Sequence, residues 1–167
     1  MGPYRAQIAA LALLLVSPAL AQEPGWHYSP LPGEGDRATL GCARDGKPED
    51  FACLAVRCED DFTTGVHIHT SDKATAPGLW DITIDREVRT LVAEPALPYG
   101  GKFVADGPWL LERLAQGAYV YLQKSGERDA PVYFIDLTGS LFAINTALAF
   151  CAPRLPRPGE PNAGGDV

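Results

Sequence analysis

The sequence predicts a mainly β fold of the α+β class: an antiparallel sheet or sandwich with two short helices, held together by disulfides. Three observations support this class. Several short segments alternate apolar and polar side chains, as half-buried strands do. Two later segments instead repeat apolar residues at helical steps. The chain also contains four cysteines, an even number that favours two disulfide bonds in an exported protein.

The first 21 residues have the pattern of a secretory signal peptide. Arg5 precedes an apolar run from Ile8 to Val16, and Ala19-Leu20-Ala21 forms a small-x-small cleavage site. This run is shorter than the ~20 residues that a membrane-spanning helix needs, and Pro18 would interrupt a helix. We therefore expect cleavage before Gln22 and a periplasmic or secreted protein that is not inserted in the membrane.

Charge and composition describe the remaining chain. Without the signal segment there are 13 basic and 21 acidic residues, a net charge of −8. An acidic surface that lacks a Lys/Arg cluster argues against nucleic acid and anionic membranes as partners. We expect a Pro/Gly-rich N-terminal segment at residues 22–37, laid extended over the body, and a single β-rich domain at residues 38–152. Residues 153–167 are predicted to be a disordered tail because they are rich in proline and glycine.

The strands follow the alternating segments in chain order. The clearest hairpin joins residues 79–85 to residues 88–93, because apolar and polar side chains alternate strictly in the first of them, which indicates a sheet with one buried face. Within it, Trp80 is predicted to be a core anchor. All predicted strands are residues 38–43, 51–57, 65–70, 79–85, 88–93, 102–105, 118–124 and 131–137.

A first helix is predicted around Trp109–Ala115. Asp106 or Gly107 can cap it, Pro108 suits the first helical position, and Gly117 ends it. Trp109 is a second candidate core anchor.

The second helix follows the turn Thr138-Gly139-Ser140 and runs to Cys151. Leu141, Ile144 and Leu148 recur there at helical steps, and Thr138 or Ser140 can cap the first turn. We expect residues 132–151 to be a strand and a helix that close the domain.

The four cysteines are Cys42, Cys53, Cys58 and Cys151. They allow three disulfide connectivities. In one, Cys42 and Cys53 bridge a hairpin and Cys58 pairs with Cys151; in another, Cys53 and Cys58 close a short loop and Cys42 pairs with Cys151. A zinc site is disfavoured because the paired C-x-x-C spacing is missing.

His67 and His69 are the candidate metal ligands. Two histidines at i and i+2 of one strand can bind a transition metal such as Cu or Zn, and Asp72 or Asp60-Asp61 could complete the site. The favoured interpretation is different: both histidines lie on a solvated strand face, opposite the aliphatic residues that alternate with them. No other cofactor is predicted.

Tyr119 and Tyr121 share one face of a predicted strand and are a candidate interaction surface for a protein or a sugar. A stripe of this kind can equally pack against another part of the same fold.

Catalytic signatures are weak. A glycosidase needs two carboxylates about 5–10 Å apart, and the sequence does not bring any two of the acidic candidates together. Ser140 follows Gly139, but the complete Gly-x-Ser-x-Gly motif of a nucleophile elbow is absent. We therefore expect no enzymatic activity. The acidic candidates are Asp81, Asp85, Glu87, Asp106 and Asp136.

The order of these features resembles a known group. An early cysteine hairpin, the strand Leu79-Trp80-Asp81-Ile82, the helix Trp109–Ala115 and the run from Phe134 to Cys151 (FIDLTGSLFAINTALAFC) are similar to short exported proteobacterial proteins of the invasion-associated locus B type. The resemblance implies a small periplasmic or secreted β-rich domain and supplies no catalytic residues.

We expect a non-enzymatic exported domain that acts through protein–protein contact with an unknown partner. One alternative is an inhibitor or binding protein of an envelope hydrolase such as a lysozyme, because an acidic domain suits a basic target. The other is a metal-binding protein that uses His67 and His69.

Overall fold

A computed structural model describes residues 23–152, so the predicted signal peptide and tail lie outside the described residues. Within them, nine strands form one antiparallel sheet and two α-helices pack against it, which confirms the predicted class. The strands are β1 (Gly25–Tyr28), β2 (Ala38–Cys42), β3 (Ala52–Cys58), β4 (Thr64–Thr70), β5 (Gly78–Ile84), β6 (Glu87–Ala96), β7 (Gly100–Phe103), β8 (Tyr119–Lys124) and β9 (Tyr133–Asp136). The helices are α1 (Gly107–Gln116) and α2 (Ser140–Leu148), and short 3-10 turns cover Gly35–Arg37, Lys73–Thr75 and Ala149–Cys151.

The sheet curls until its two ends meet. Its strand order is β1-β2-β3-β4-β7-β6-β5-β8-β9. The backbone N–H of Arg44, just after β2, donates to the Phe134 carbonyl in β9 at 3.0 Å. Trp26 Nε1 in β1 donates to the Asp136 carbonyl at 3.1 Å. These bonds cap polar groups that an open sheet edge would expose.

The strand β1 lies in the N-terminal segment that the sequence predicts as extended chain over the body. Trp26 pairs with Gly41 of β2, and its half-buried ring packs against the core. A Cβ atom added at Gly41 would lie 2.5 Å from Trp26 Cε2. Glycine at this position therefore lets the indole cross the neighbouring strand.

The main core lies on the inner face of the sheet, beneath both helices. In β5, Trp80, Ile82 and Ile84 are buried as the alternation predicts. From the helices, Leu110 and Ile144 reach the same cluster, whereas Trp109 is only partly buried and packs against its rim. Burial of such apolar side chains is the dominant favourable contribution to folding.

A second, smaller core covers the opposite face of β2, β3 and β4. It is formed by Leu40, the Cys42–Cys53 disulfide and Phe51, and Tyr99 from the β6–β7 connection closes it. As a result β3 is buried along its whole length. This two-sided burial explains why its sequence is nearly all apolar.

The ends of the helices differ in detail from the prediction. Asp106 occupies the N-cap position of α1 with φ 56°, but its carboxylate accepts from Arg89 Nη1 at 3.0 Å instead of capping the helix. Gly117 ends α1, as predicted, and its N–H donates to the Arg113 carbonyl. The N-cap of α2 is Gly139 with φ 84°, and no side chain caps the helix. The predicted cap at Thr138 or Ser140 is therefore wrong.

The two disulfides are Cys42–Cys53 and Cys58–Cys151. Cys42 and Cys53 are directly opposed in the β2–β3 pair. The second bond joins the end of β3 to the 3-10 turn after α2 across 93 residues. Disulfides are compatible with an exported protein. None of the helices in the described part of the chain is both long and apolar enough to cross a membrane.

Candidate functional site

A group of aromatic and β-branched side chains lies on the convex side of β5, β6, β8 and β9, opposite the main core. The strand register places four residues in one row across these strands: Val88 is opposite Thr83, Thr83 opposite Tyr121, and Tyr121 opposite Phe134. Directly opposed residues project from the same face of a sheet. Together with Tyr119 on β8, these four residues form what we call the outer sheet face.

Three rings of the outer sheet face contact one another. The centroids of Tyr119 and Tyr121 are 5.4 Å apart and those of Tyr121 and Phe134 are 5.3 Å apart. The hydroxyl of Tyr119 donates to the Asp85 carbonyl at 2.7 Å, and the Arg44 guanidinium lies 5.1 Å from the Phe134 centroid. Tyr121 nevertheless keeps 40% of its surface exposed. The cluster is thus held in place while the Tyr121 ring stays accessible.

The predicted pairing of Tyr119 and Tyr121 on one face is present, but Phe134 is absent from that prediction. The alternation of β9 shows in the sequence that Phe134 points to the other face of the strand from its chain neighbours Tyr133 and Ile135. That it lies beside Tyr121 depends on the β8–β9 register, which no local pattern specifies. The missed signal was therefore a long-range pairing.

His67 and His69 do share one face of β4, yet that face is buried. Only 1% of His67 and 4% of His69 is exposed, so the interpretation as a solvated face is wrong. The rings of both histidines contact Tyr99, with centroid distances of 5.2 Å and 5.9 Å. The physical reason is the second core, which covers this half of the sheet.

His67 belongs to a buried charge cluster formed by Glu34, Arg57, Glu59, His67 and Lys102. Arg57 Nε lies 2.8 Å from Glu34 Oε2, and Arg57 Nη1 donates to Glu59 Oε2 at 2.6 Å. Glu59 Oε1 is 2.8 Å from His67 Nε2 and 2.9 Å from Lys102 Nζ. Two carboxylates therefore face two permanent cations, which offsets much of the cost of removing these charges from water.

The protonation states follow from this environment. Burial lowers the pKa of His67, and the hydrogen bond with Glu59 offsets only part of that effect. Burial tends to raise the pKa of Glu59, but hydrogen bonds from Lys102 and His67 hold it below its ordinary value. Burial also lowers the pKa of His69, whose Nδ1 is 2.9 Å from the Tyr99 carbonyl. At neutral pH both histidines are uncharged.

The cluster anchors the N-terminal segment to the sheet. The Tyr99 hydroxyl is 2.9 Å from Glu34 Oε2 and 2.9 Å from Ser29 Oγ. Glu34 and Ser29 lie in the N-terminal segment, whereas Arg57 lies on β3. The signal for this contact was Arg57 itself, a lone charge inside the apolar strand 52–58, because such a charge needs a buried partner.

The structure does not complete the candidate metal site. Asp72 instead accepts from the Ala74 N–H at 3.0 Å, and Asp60 Oδ1 accepts from Arg37 at 2.6 Å. Residues 23–152 contain no group of three or more His, Cys, Asp or Glu side chains that could hold a metal ion. Metal binding by His67 and His69 stays a prediction.

The acidic candidates for glycoside hydrolysis each have another contact. Glu87 and Asp106 both lie 3.0 Å from guanidinium nitrogens of Arg89, and Asp136 lies 3.2 Å from Arg44 Nη2. A general acid in this chemistry needs a raised pKa. The pKa of Glu87 is instead lowered, by the nearby Trp109 indole and by the hydrogen bond from Arg89.

The remaining acidic candidates are likewise engaged. Asp81 Oδ1 accepts from Thr90 Oγ1 at 2.6 Å, and Asp85 Oδ1 accepts from the Ala118 N–H at 2.9 Å. Ser140 is buried at the start of α2, so its hydroxyl is not presented as a nucleophile.

A cavity of about 320 Å³ opens at the end of the sheet between β4, β8 and the β8–β9 loop. Lys124 Nζ lies 4.6 Å from the Trp80 ring centroid on its wall. The Tyr133 hydroxyl donates to Asp50 Oδ1 at 2.6 Å. Trp80, Tyr133 and Asp50 here contact other residues of the same chain, so the outer sheet face remains the stronger candidate.

Comparison of the chain with family models, curated proteins and solved structures finds no match. The resemblance to exported proteins of the invasion-associated locus B type therefore stays a prediction.

Proposed function

We propose that the mature protein is a non-enzymatic exported module that binds a protein partner through the outer sheet face. The proposal depends on one observation: the row of Val88, Thr83, Tyr121 and Phe134 crosses four strands, and Val88 is 62% exposed. The solvated face of an antiparallel sheet normally carries polar side chains. Clustered aromatic residues are instead typical of the energetic centres of protein interfaces.

The two halves of the sheet differ in how their convex side is covered. Over β2, β3 and β4 that side is covered by Tyr99 and the N-terminal segment, whose Leu31 packs on the second core. The outer sheet face has no such cover from the described residues around Val88 and Tyr121, which are both exposed. Only this half of the convex side is thus left exposed by the described residues, which supports the proposal that a partner protein covers it.

The geometry of the rings also favours binding. The Tyr119 hydroxyl is fixed by the Asp85 carbonyl, and each tyrosine has only two side-chain torsions to order. Ordering these side chains on binding therefore costs little conformational entropy.

A capture experiment with substituted proteins tests the proposal. The oxidised mature chain is immobilised and exposed to an envelope extract, and the bound proteins are compared with those bound by Tyr121→Ser and Phe142→Ser. Phe142 is the matched control because it is a 77% exposed aromatic residue on α2. Loss of a central aromatic contact costs about 2 kcal/mol or more, so the affinity of the purified partner should fall about 30-fold in the Tyr121 variant only.

The outcome that contradicts the proposal is equally specific. A partner that binds all three proteins with equal affinity, or that is lost on the Phe142 substitution, does not use the outer sheet face. Material recovered without a difference between the variants does not support the proposal.

A second candidate is inhibition of a basic envelope hydrolase. The observation that favours it is the position of Asp81 and Asp136, which lie on the same side of the sheet as Tyr121, one on either side of the row that contains it. An electrostatic inhibitor should slow a lysozyme-like hydrolase strongly at low salt and lose this effect as ionic strength rises. An apolar contact should change little with salt, and full hydrolase activity at low salt would exclude this candidate.

A further inference from the structure

A second exposed aromatic pair lies away from the outer sheet face, beside the Cys58–Cys151 disulfide. A groove of about 280 Å³ runs between the β3–β4 turn and the 3-10 turn that follows α2. Phe62 and Phe150 line it and are 61% and 48% exposed. We call it the Phe62–Phe150 groove; it is lined by Arg37, Cys58, Glu59, Asp60, Phe62 and Phe150.

The groove is structurally fixed. The disulfide holds its two walls together, with the Cα atoms of Cys58 and Cys151 5.4 Å apart. The Phe62 N–H donates to the Glu59 carbonyl at 3.0 Å, and the Glu59 N–H donates to the Thr63 carbonyl at 2.8 Å. These bonds keep the β3–β4 turn in a defined shape.

Phe62 adopts a conformation that costs free energy. Its φ is 63°, in the left-handed region that bulky residues rarely enter. The result is a ring that projects into solvent instead of packing on either core. Its exposure gains the isolated domain nothing, so a binding role is the simpler explanation of this arrangement.

The chain itself leads from this groove to residues 153–167. Ala152 lies two residues after Phe150, and its φ of −64° and ψ of 141° are those of polyproline II. Pro153 follows, and a proline restricts the preceding residue to this extended region. Ala152 therefore leaves the rim of the groove in polyproline II geometry.

The composition of the following residues fits the groove. Four prolines occur between residues 153 and 161, and proline-rich segments in polyproline II geometry bind to aromatic-lined grooves. The first six residues would span about 19 Å at 3.1 Å per residue. Arg154 and Arg157 lie among the prolines, while the side chain of Asp60 on the groove wall is 83% exposed. Asp60 Oδ1 already accepts from Arg37, so an arginine of this segment would share the Asp60 carboxylate with Arg37.

We propose that residues 153–158 of the same chain dock in the Phe62–Phe150 groove, with proline rings against the two phenylalanines and an arginine beside Asp60. The segment is covalently attached at the rim, so its local concentration is on the order of millimolar. A weak contact is therefore enough to keep the groove occupied.

Photo-crosslinking of the full mature chain tests this docking. Leu155 is replaced by p-benzoylphenylalanine, and the oxidised protein is irradiated at micromolar concentration. Mass spectrometry should locate the crosslinks within one chain, at Phe62, Phe150 or Arg37. The same photoreactive residue at position 163 should give a lower yield without this preference.

Two substitutions identify the contacts. Phe62→Ser should lower the crosslinking yield at least fivefold, whereas Phe142→Ser should leave it unchanged. Because Phe62→Ser also alters the turn, the double variant Arg154→Glu/Arg157→Glu provides a test that leaves the domain itself intact, and it should lower the yield at least threefold.

Three results would overturn the proposal. They are crosslinks scattered over the domain, a yield that neither the Phe62 nor the double arginine substitution changes, and crosslinks to Phe62 of a second copy, which would assign the segment to a contact between chains. None of them depends on the partner of the outer sheet face.

Discussion

The two disulfides should differ in what they contribute to stability, because they close loops of very different length. The Cys58–Cys151 bond spans 93 residues and the Cys42–Cys53 bond spans 11. If each bond acts by restricting the unfolded chain, the loop-entropy relation gives about 4.6 kcal/mol for the long loop and about 2.8 kcal/mol for the short one at 25 °C. The double variant Cys58→Ala/Cys151→Ala should therefore lose about 2 kcal/mol more than Cys42→Ala/Cys53→Ala.

Urea unfolding of the oxidised proteins measures both the free energy of unfolding and the slope m. The free energy of unfolding comes from the midpoint and the slope, and the slope m reports the surface exposed on unfolding. Removing the long cross-link should raise m as well, because the unfolded chain becomes less compact. The short cross-link should change m less.

The contrary result would be a larger decrease in the free energy of unfolding when the short Cys42–Cys53 bond is removed. Cys42 and Cys53 are both buried in the second core, so such a result would show that packing around the sulfur atoms outweighs chain closure. An unchanged m in the Cys58/Cys151 variant would likewise contradict an effect on the unfolded state.

Three further predictions concern the buried residues. Because burial lowers the pKa of His67, the unfolded chain binds more protons below about pH 6.5, so the free energy of unfolding should fall between pH 7 and pH 5 by at most about 1.4 kcal/mol per pH unit for this group. In urea unfolding, His67→Gln should make this decline less steep, and an identical slope would contradict a lowered pKa of His67. Arg57→Met leaves Glu34 without its cation and should lower the free energy of unfolding by about 3–5 kcal/mol in the same assay, with partial recovery when Glu34→Gln is added. A decrease below about 1 kcal/mol would mean that the charge cluster is hydrated. Gly41→Ala places a Cβ 2.5 Å from the Trp26 ring, so it should lower the free energy of unfolding by about 1–3 kcal/mol and reduce the protection of the Trp26 indole N–H from hydrogen exchange. Unchanged protection would show that the ring moves aside freely.

Most of the elements were predictable because their signals are local. The alternation around Trp80 is visible in one strand, and the same side chains are buried in the structure. Gly117 ends α1 where the helical pattern stops. Strand β1 was harder, since Gly25–Tyr28 lies among prolines and glycines and is defined by its pairing with β2.

The candidate sites were predictable only in part. The sequence placed His67 and His69 on one face of a strand, but whether that face meets water depends on Tyr99, 30 residues after His69. The same holds for Tyr121, whose neighbour Phe134 arrives from the next strand. Alternation tells which side chains share a face, and it says nothing about what covers the face.

The sequence by itself determined the strand and helix periods, the even number of cysteines and the choice of residues for the main core. Tertiary structure alone decided which cysteines pair, that Arg57 and Glu34 form a buried ion pair, and which half of the convex side stays open around Tyr121. The physical reason is range. Periodicity reflects the geometry of a single element, whereas pairing and coverage depend on contacts between residues far apart in the chain, which only the register of the assembled sheet brings together.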